Sequence, residues 1–310
     1  PLDLIHVGQL NRVSLATKLK TAARLPLGIL TCIDLLHKFR PHVVLGVGGY
    51  ASGPAMLAAI LTRSPRVAFE PNAVPGMANR IVGRWVQAAA VNFPETLPYF
   101  RNARVTGIPV RPEFFNLPPR PVEAPPQLLV FGGSQGARVL NRIVPQIAEQ
   151  LFEAVPGLTI LHQCGARHLE GTEQAYLQST ALRERWAASW SVQPFLDDMP
   201  QRFAAPSLVL CRSGASTVAE LAAAAKPSLL VPFPQAADDH QRHNAEVFVK
   251  AGASVMVLEP ELTTECLLAE LIHLLRDSTE LTKMGSNARA LAHPDAASAI
   301  AALLKKQQPA

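Results

Sequence analysis

Short apolar runs alternate with segments whose apolar residues recur at helical spacing along most of the chain. Gln127–Phe131 and Ser207–Cys211 are apolar runs of the length of buried parallel strands. Ala137–Leu151 has the three- and four-residue apolar spacing of an amphipathic helix, and Val218–Ala225 is rich in strong helix formers. Since each strand-like run precedes a helix-like segment, the pattern predicts α/β layers built on parallel sheets.

Glycines lie where predicted strands pass into predicted helices. Three such turns are predicted, formed by Gly46, Gly48 and Gly49, by Gly132, Gly133 and Gly136, and by Gly214. A residue without a Cβ lets the backbone approach a ligand, and the first N–H groups of a helix have no partner inside it. Two turns in one half of the chain therefore predict a diphosphate held between helix N-termini. The alternative is a tight turn that binds nothing.

The glycine spacing differs from that of a dinucleotide site. A nicotinamide-binding turn follows the order G-x-G-x-x-G and needs an acidic residue for the ribose, whereas this chain reads GGSQG at Gly132–Gly136 and lacks a persuasive ribose acid after a second strand. The sequence therefore argues against a nicotinamide cofactor.

Glu220 has two interpretations at this stage. Thr217 and Glu220 have the three-residue spacing of a capping box, in which the carboxylate returns to a backbone N–H group. The functional interpretation is that Glu220 accepts hydrogen bonds from two ribose hydroxyls while the start of the helix faces phosphate. The residues alone do not decide between them.

Length and proline content predict two domains. The chain has 310 residues, 48% of them hydrophobic, which is enough for two cores. Prolines concentrate in Leu117–Pro126, and this stretch is typical of a stiff connector. We expect an N-terminal domain over residues 1–111, completed by a C-terminal helix over 296–310, and a second domain over 112–295.

Charge is unevenly distributed between these parts. Residues 1–111 hold 13 basic and 4 acidic residues, a net charge of +9, while the remainder holds 16 and 20, a net charge of −4. Within the basic part, Lys18–Arg40 mixes cations with leucine and isoleucine. This segment fits either an anionic membrane surface or an ordinary helix packed on a sheet. With only 6% aromatic residues and no recognised module, the chain argues against nucleic acid.

Cysteine spacing and hydropathy indicate the kind of compartment in which the protein works. Cys32, Cys164, Cys211 and Cys266 are scattered without C-x-x-C spacing, which favours a reducing compartment over a disulfide or zinc framework. No signal peptide is recognised, and no uncharged apolar run is long enough to cross a bilayer. The sequence predicts a soluble or peripheral protein.

Seven ordered segments resemble those of the MurG family of N-acetylglucosaminyltransferases; they read GVGGYASGP, FEPNAVPGMANR, TGIPVRP, GGSQGARVLN, FLDDM, CRSGASTVAE and PFPQAADDHQRHNA. The resemblance covers nearly the whole chain. It implies a GT-B fold, in which two Rossmann-like domains with parallel sheets face each other across a cleft. It also implies inverting transfer of N-acetylglucosamine from UDP-N-acetylglucosamine to the C4 hydroxyl of the muramoyl sugar of lipid I, forming lipid II.

The same resemblance implies partners and a location. The enzyme would work without a metal or other cofactor, on the cytoplasmic side of the bacterial inner membrane, as a peripheral protein at an anionic surface. Its partners would be UDP-N-acetylglucosamine, lipid I and other cell-wall synthesis proteins. Two alternatives remain open, a nucleotide-sugar-binding module without activity and a UDP-N-acetylglucosamine 2-epimerase.

Site residues are carried over by motif position. The donor is expected to contact residues in the second domain, with Leu196 reading uracil through its backbone, Glu220 holding the ribose, and Gln241 with His240 contacting the sugar: Ser134, Gln135, Leu196, Arg212, Ala215, Ser216, Thr217, Glu220, His240 and Gln241. Arg111 resembles the family's arginine near the interdomain strand and is a further substrate-binding candidate. The acceptor side is expected to involve Tyr50, Glu70 and Asn72. Without the resemblance, Arg111 fits a surface ion pair, Tyr50 fits packing, Asp238 and Asp239 fit a helix cap, and the pair of His240 and His243 is a weak metal candidate.

The departures from the family pattern concern the first domain. The chain begins at Pro1, in what resembles the third strand region of the family, so we expect the N-terminal domain to be incomplete and the family's histidine-bearing glycine loop to have no counterpart. Phe69 stands at the usual histidine, Pro71 at the usual glutamine and Ile108 at the frequent asparagine. For these reasons the catalytic base remains unassigned.

Overall fold

The computed structural model describes residues 15–49, 52–121 and 123–308, with the backbone alone for 15–24. The strands are β1 Val44–Gly46, β2 Arg66–Glu70, β3 Ala88–Val91, β4 Ala103–Val105, β5 Gln127–Phe131, β6 Thr159–Gln163, β7 Trp190–Gln193, β8 Leu208–Cys211, β9 Ser228–Leu230 and β10 Ser254–Met256. The helices are α1 Leu15–Phe39, α2 Ser52–Leu61, α3 Met77–Val82, α4 Arg138–Ala154, α5 Leu169–Leu177, α6 Thr180–Glu184, α7 Met199–Arg202, α8 Ala215–Ala223, α9 His240–Lys250, α10 Thr264–Arg276, α11 Ser278–Ala290 and α12 Ala296–Lys305.

The chain divides into two compact units. One comprises Pro1–Pro109 together with Asp295–Ala310, and the other is Val110–Pro294. Each unit has its own parallel sheet. The α/β class predicted from the alternation of apolar runs and helical segments is therefore confirmed.

The first unit has a four-stranded sheet in the order β1-β2-β3-β4, with every pair parallel. Val44 pairs with Arg66 and Gly46 with Ala68, so β1 and β2 finish at the same edge. Since parallel strands place all their carboxyl ends together, the loop after Gly46 and the loop after Glu70 lie side by side.

Helix α12 returns to the first unit at the end of the chain. Its Ile300 and Leu303 are buried in one cluster with Val67, Ala88 and Ala90 of β2 and β3. Phe69, which stands where the family has a histidine, is half-buried against the same cluster. The aromatic ring therefore contributes apolar packing at this position.

The second unit has a six-stranded sheet in the order β10-β9-β8-β5-β6-β7, again wholly parallel. From β5 the chain moves outward to β6 and β7, then returns to the other side of β5 to form β8. The strand order therefore reverses between β5 and β8, and the carboxyl ends of strands at such a switch point are where open α/β sheets bind ligands. Phe131 pairs with Cys211, so β5 and β8 end level with each other.

Several sequence predictions are confirmed in this unit. β5 spans Gln127–Phe131, as predicted, and α4 begins one residue later and ends three residues later than its apolar pattern indicated. The buried side of α4 packs on a core that includes Leu128, Leu140 and Leu271.

The proline-rich stretch belongs to the second unit. The Arg120 guanidinium donates hydrogen bonds to the carbonyls of Ala124, Pro125 and Ala205. This contact fixes the segment to the loop before β8, so the part containing Arg120 is held on a domain surface.

In the part of the chain that the structure describes, each helix is too short or too polar to cross a membrane. The four cysteines Cys32, Cys164, Cys211 and Cys266 are free thiols.

Candidate functional site

The first glycine turn of the second unit links β5 to α4. Gly133 and Gly136 have φ angles of +83° and +72°, a region that favours glycine. The turn closes with a hydrogen bond of 2.9 Å from Gly136 N to Gly133 O. Ser134 and Gln135 are exposed at its tip. Ala137 occupies the N-cap position of α4 without a side-chain cap, so no side chain of the cap covers the first N–H groups.

This turn lies directly against the backbone that follows β6. A Cβ at Gly136 would overlap the Cys164 carbonyl, and a Cβ at Gly165 would overlap the Gln135 carbonyl. The two backbone segments are thus in mutual contact, which only glycine allows. The position of Cys164 consequently sets the position of Gln135 and Gly136.

A buried polar cluster lies behind the same contact. Asn141 Nδ2 donates to Cys164 O at 2.9 Å, and Asn141 Oδ1 faces His162 Nε2 at 3.1 Å. The other ring nitrogen of His162 lies 3.2 Å from the Tyr176 hydroxyl. Burial lowers the pKa of His162 to about 3, so its imidazole is neutral at physiological pH.

The second glycine turn links β8 to α8. Gly214 occupies the N-cap position with an extended backbone, φ −60° and ψ 148°, and makes no side-chain cap. Ser213 is held from both ends, because its hydroxyl donates to Gln241 O at 2.8 Å and its carbonyl accepts from Asn244 Nδ2 at 3.2 Å. The first N–H groups of α8, at Ala215 and Ser216, follow β8 at the switch point, where β8 ends level with β5.

The capping-box interpretation of Thr217 and Glu220 is wrong. The helix already begins at Ala215, so Thr217 lies inside its first turn and cannot serve as the N-cap residue. Thr217 and Glu220 are three residues apart in α8 and therefore share one face. Glu220 therefore does not cap the start of α8, and the interpretation in which it binds the ribose stays a prediction.

Glu220 is half-buried, and Arg111 acts on it electrostatically. Burial raises the pKa of the Glu220 carboxyl, while the positive charge of Arg111 lowers it. Arg111 stands before the short 3-10 helix Pro112–Phe114, with its guanidinium 5.2 Å from the centre of the Phe114 ring. The fold thus brings two predicted site residues, 109 positions apart in sequence, into one electrostatic environment.

The Arg212 side chain is buried and engaged with the loop after β9. Its guanidinium donates to the carbonyls of Val231 and Pro232 at 3.0 and 3.1 Å and pairs with Glu259 at 2.6 Å. It also lies 5.3 Å from the centre of the Phe233 ring. Contact with a ligand through this guanidinium stays a prediction, whereas its hold on the loop is a feature of the structure.

The loop after β9 leads to the predicted sugar-contacting residues. Gln241 Oε1 accepts from Phe233 N at 3.0 Å, and His240 Nδ1 lies 2.6 Å from Ala237 O. Asp238 and Asp239 both adopt left-handed backbone, with φ of 50° and 53°. Asp239 occupies the N-cap position of α9 without a side-chain hydrogen bond, so the capping interpretation of these aspartates is not supported.

Leu196 follows β7 at the same edge of the sheet. Its side chain is buried, and Gln163 Nε2 donates to Pro194 O at 3.0 Å, which ties the segment to β6. Contact between the Leu196 backbone and uracil stays a prediction.

The described residues offer no metal cluster. Within residues 15–49, 52–121 and 123–308, no group of three His, Cys, Asp or Glu side chains could hold an ion. The Nδ1 atom of His243 pairs instead with Glu246 Oε2 at 3.0 Å. The weak metal alternative for His240 and His243 therefore has no third ligand in this part of the chain.

In the first unit, Glu70 organises the loop that follows β2. Its Oε1 accepts from Asn72 N and Nδ2, each at 3.1 Å, and its Oε2 accepts from Gly76 N and Asn79 Nδ2 at 3.1 and 2.9 Å. Because the buried carboxylate carries these four hydrogen bonds, its structural role is to shape the Pro71–Gly76 loop.

Further polar residues hold this loop in place by hydrogen bonds to its carbonyl groups. Thr96 Oγ1 bonds to the carbonyls of Asn72 and Ala73 at 3.0 and 3.1 Å, and Asn92 Nδ2 donates to Pro71 O at 3.2 Å. Gly48 and Gly49, with φ of +81° and +75°, form the neighbouring turn after β1. Tyr50, the third acceptor-side candidate, lies outside the described residues.

Sequence reasoning missed the residues that support both sites. They are buried and polar, and most of them bond to backbone: Asn79, Thr96, Asn141, His162, Ser213 and Asn244. The available signal was a polar residue within an otherwise apolar element, such as the histidine in TILHQ at Thr159–Gln163.

Two parallel α/β units of this kind have the GT-B architecture, and the class of protein is a glycosyltransferase. Family models support this class, since residues 1–91 match the glycosyltransferase family 28 N-terminal domain and residues 127–300 match its C-terminal domain. The UDP-N-acetylglucosamine--N-acetylmuramyl-(pentapeptide) pyrophosphoryl-undecaprenol N-acetylglucosamine transferase of Solibacter usitatus is 43% identical over 305 residues, which cover 97% of this chain and 81% of that relative. The transferase of the same name from Stutzerimonas stutzeri is 41% identical, covering 96% and 82%.

Solved structures agree with the sequence relatives. The crystal structure of Acinetobacter baumannii MurG has a TM-score of 0.80 and 31% identity, covering 92% of this chain and 79% of that one. A UDP-GlcNAc 2-epimerase from Neisseria meningitidis has a TM-score of 0.63 at 14% identity, covering 96% and 83%, which shows a shared fold alone. The chain belongs to the MurG family of N-acetylglucosaminyltransferases.

Gly136→Ala is expected to disrupt the first turn. The new Cβ would overlap the Cys164 carbonyl in a backbone conformation that alanine disfavours, so we expect a loss of about 2–4 kcal/mol in the free energy of unfolding. Gly171→Ala in α5 is the matched control, because nothing lies within 4 Å of its Cβ position, and we expect it to be neutral or stabilising by up to about 1 kcal/mol. Urea unfolding measures both, and equal stability of the two variants would contradict the contact.

Proposed function

We propose that this chain catalyses inverting transfer of N-acetylglucosamine from UDP-N-acetylglucosamine to the C4 hydroxyl of the muramoyl sugar of lipid I, which forms lipid II. The observation that carries the proposal is the pair of glycine turns at the switch point, which follow the level ends of β5 and β8 and lead into α4 and α8 without a side-chain cap. Relatives named as this transferase match 97% of the chain.

The donor is proposed to lie on the second unit. The N–H groups at the starts of α4 and α8 would hold the diphosphate, with Ser134 and Gln135 on one side and Ala215, Ser216 and Thr217 on the other. The carboxylate of Glu220 would accept hydrogen bonds from the ribose, and the Leu196 backbone would read uracil. Arg212 would hold the loop whose Gln241 and His240 meet the sugar.

The same N–H groups would stabilise UDP as the leaving group. As the C4 hydroxyl attacks the anomeric carbon, the bond from that carbon to the diphosphate breaks and negative charge accumulates on UDP. Preorganised donors at helix N-termini stabilise that charge without a metal ion. A general base takes the hydroxyl proton, and this base is not assigned. Tyr50, Glu70 and Asn72 stay candidates for the acceptor side of the site. The four hydrogen bonds of Glu70 give it a role in shaping its loop.

Three competing functions are less well supported. The epimerase similarity rests on 14% identity and the shared fold. A binding module without activity would share the donor site and differ only in turnover, so a transfer assay separates it. Nucleic acid binding has no recognised module behind it.

We propose a peripheral location at the cytoplasmic face of the bacterial inner membrane, where the enzyme would meet lipid I and other proteins of cell-wall synthesis. The support is the net charge of +9 over residues 1–111 and the exposed apolar side chains Leu27, Leu30 and Phe39 of α1. Cations beside exposed apolar residues are typical of segments that rest on anionic headgroups.

The membrane proposal is tested with vesicles of phosphatidylglycerol and of phosphatidylcholine. We expect the chain to sediment with the anionic vesicles only, and the double variant Leu27→Ser, Leu30→Ser to lose about tenfold in partitioning, since each buries less apolar surface. Val249→Ser, an exposed apolar position of the second unit, is the control. Equal sedimentation of the double variant and the control would reject the assignment to α1.

The transfer assay uses lipid I and labelled UDP-N-acetylglucosamine. Glu220→Gln keeps the size of the side chain but loses one acceptor oxygen and the charge, so we expect KM for the donor to rise about tenfold or more. Donor affinity of the unmodified protein should fall as pH falls through the raised pKa of Glu220, because the protonated carboxyl accepts less well. The control is Glu153→Gln, which changes an exposed carboxylate of α4. An unchanged donor KM in Glu220→Gln would remove Glu220 from the ribose site. If the unmodified protein left lipid I unconverted, the transferase proposal would be wrong.

A further inference from the structure

A one-directional chain of hydrogen bonds runs through the core of the second unit to the first glycine turn. Cys164 O can only accept, so Asn141 presents Nδ2 to it and Oδ1 to His162. Since Oδ1 can only accept, the proton of the neutral imidazole lies on Nε2. The unprotonated Nδ1 then accepts from the Tyr176 hydroxyl. The order is Tyr176 to His162 to Asn141 to the Cys164 carbonyl.

The cluster is fully enclosed, so each bond matters to the geometry. His162 and Tyr176 are 0% exposed and Asn141 is 7% exposed. Tyr176 is fixed in turn by its stacking on Trp190, with ring centres 4.7 Å apart. Water cannot replace a lost partner inside such a core, and a buried polar atom without a partner is costly.

The chain of bonds ends at the atom that contacts the turn. The Cys164 carbonyl occupies the space where Gly136 would carry a Cβ, and Gly165 packs on the Gln135 carbonyl in the same way. A shift of Cys164 would therefore displace Gln135 and Gly136. In the proposed function these residues lie beside the donor diphosphate.

We propose that His162 is a positioning residue for donor binding, which acts through Asn141 and Cys164 to fix the backbone of the Ser134–Gly136 turn. This inference rests on the proposed function, in which that turn meets a nucleoside diphosphate. His162 itself is fully buried in β6 behind the turn, out of reach of a ligand. Its role is to keep a single tautomer and thereby a single orientation of the Asn141 amide.

The experiment compares UDP affinity by calorimetry, and donor KM and kcat, in three variants. His162→Asn is too short to place a donor at the Nε2 position, and we expect Kd for UDP and KM for the donor to rise about tenfold with kcat largely retained. His162→Gln can present an N–H group near the Nε2 position and is expected to recover most of the affinity. Ser228→Ala is the matched control, because it removes a buried 2.6 Å hydrogen bond to Ser254 in the same sheet, away from the turn.

The outcomes separate this inference from the proposed function. If the unmodified protein fails to bind UDP, the proposed function fails. If it binds UDP and His162→Asn binds as tightly, or loses no more than Ser228→Ala, the positioning role is wrong. Nitrogen-15 spectra of the unmodified protein give an independent test that does not depend on any variant folding. We expect a neutral His162 ring protonated on Nε2 between pH 6 and 8, and a ring protonated on Nδ1, or a charged ring, would overturn the inference.

Discussion

The proposed donor site of the second unit depends on main-chain N–H groups that have no partner inside their own helices. Every α-helix leaves its first N–H groups unpaired, and here α4 and α8 both begin where the strand order reverses. Phe131 and Cys211 are register partners, so the two strands that lead to these helices end level. Neither N-cap residue, Ala137 or Gly214, covers these donors with a side chain. A parallel sheet with this strand order thus presents two positive helix ends at one crevice.

Keeping those donors in place requires polar support inside an apolar core. The first turn is set by backbone contact with Cys164 and Gly165, and the second by the hydrogen bonds that Ser213 makes with Gln241 and Asn244. The first unit uses the same solution, since the carboxylate of Glu70 gathers N–H groups of the loop that follows its strand. In both units a buried polar side chain holds a loop in shape, and the loop carries residues that we propose to contact substrate.

Local patterns were sufficient to predict the elements that carry the site. The apolar run at Gln127–Phe131 is the strand that the structure contains, because a strand buried on both faces needs little beyond a short apolar sequence. The family resemblance is confirmed. The capping box was wrong, because Gly214 ends the extended backbone three residues before Thr217 and α8 begins at once. The sequence marks His162 as a polar residue in an apolar strand but does not give its partner, since His162 meets Asn141 only after the elements have packed. A periodic pattern carries no information on contacts between separate elements.

The central claim is that paired helix N-termini bind the diphosphate of the donor through main-chain N–H groups without a metal ion. The most direct measurement is calorimetry of the folded protein with UDP, UMP and uridine in the presence of EDTA. The account predicts that UDP binds at least about tenfold more tightly than UMP, and UMP more tightly than uridine, because each phosphate adds charge-assisted hydrogen bonds. Equal affinities for UDP and UMP, or UDP binding that EDTA abolishes, would contradict it.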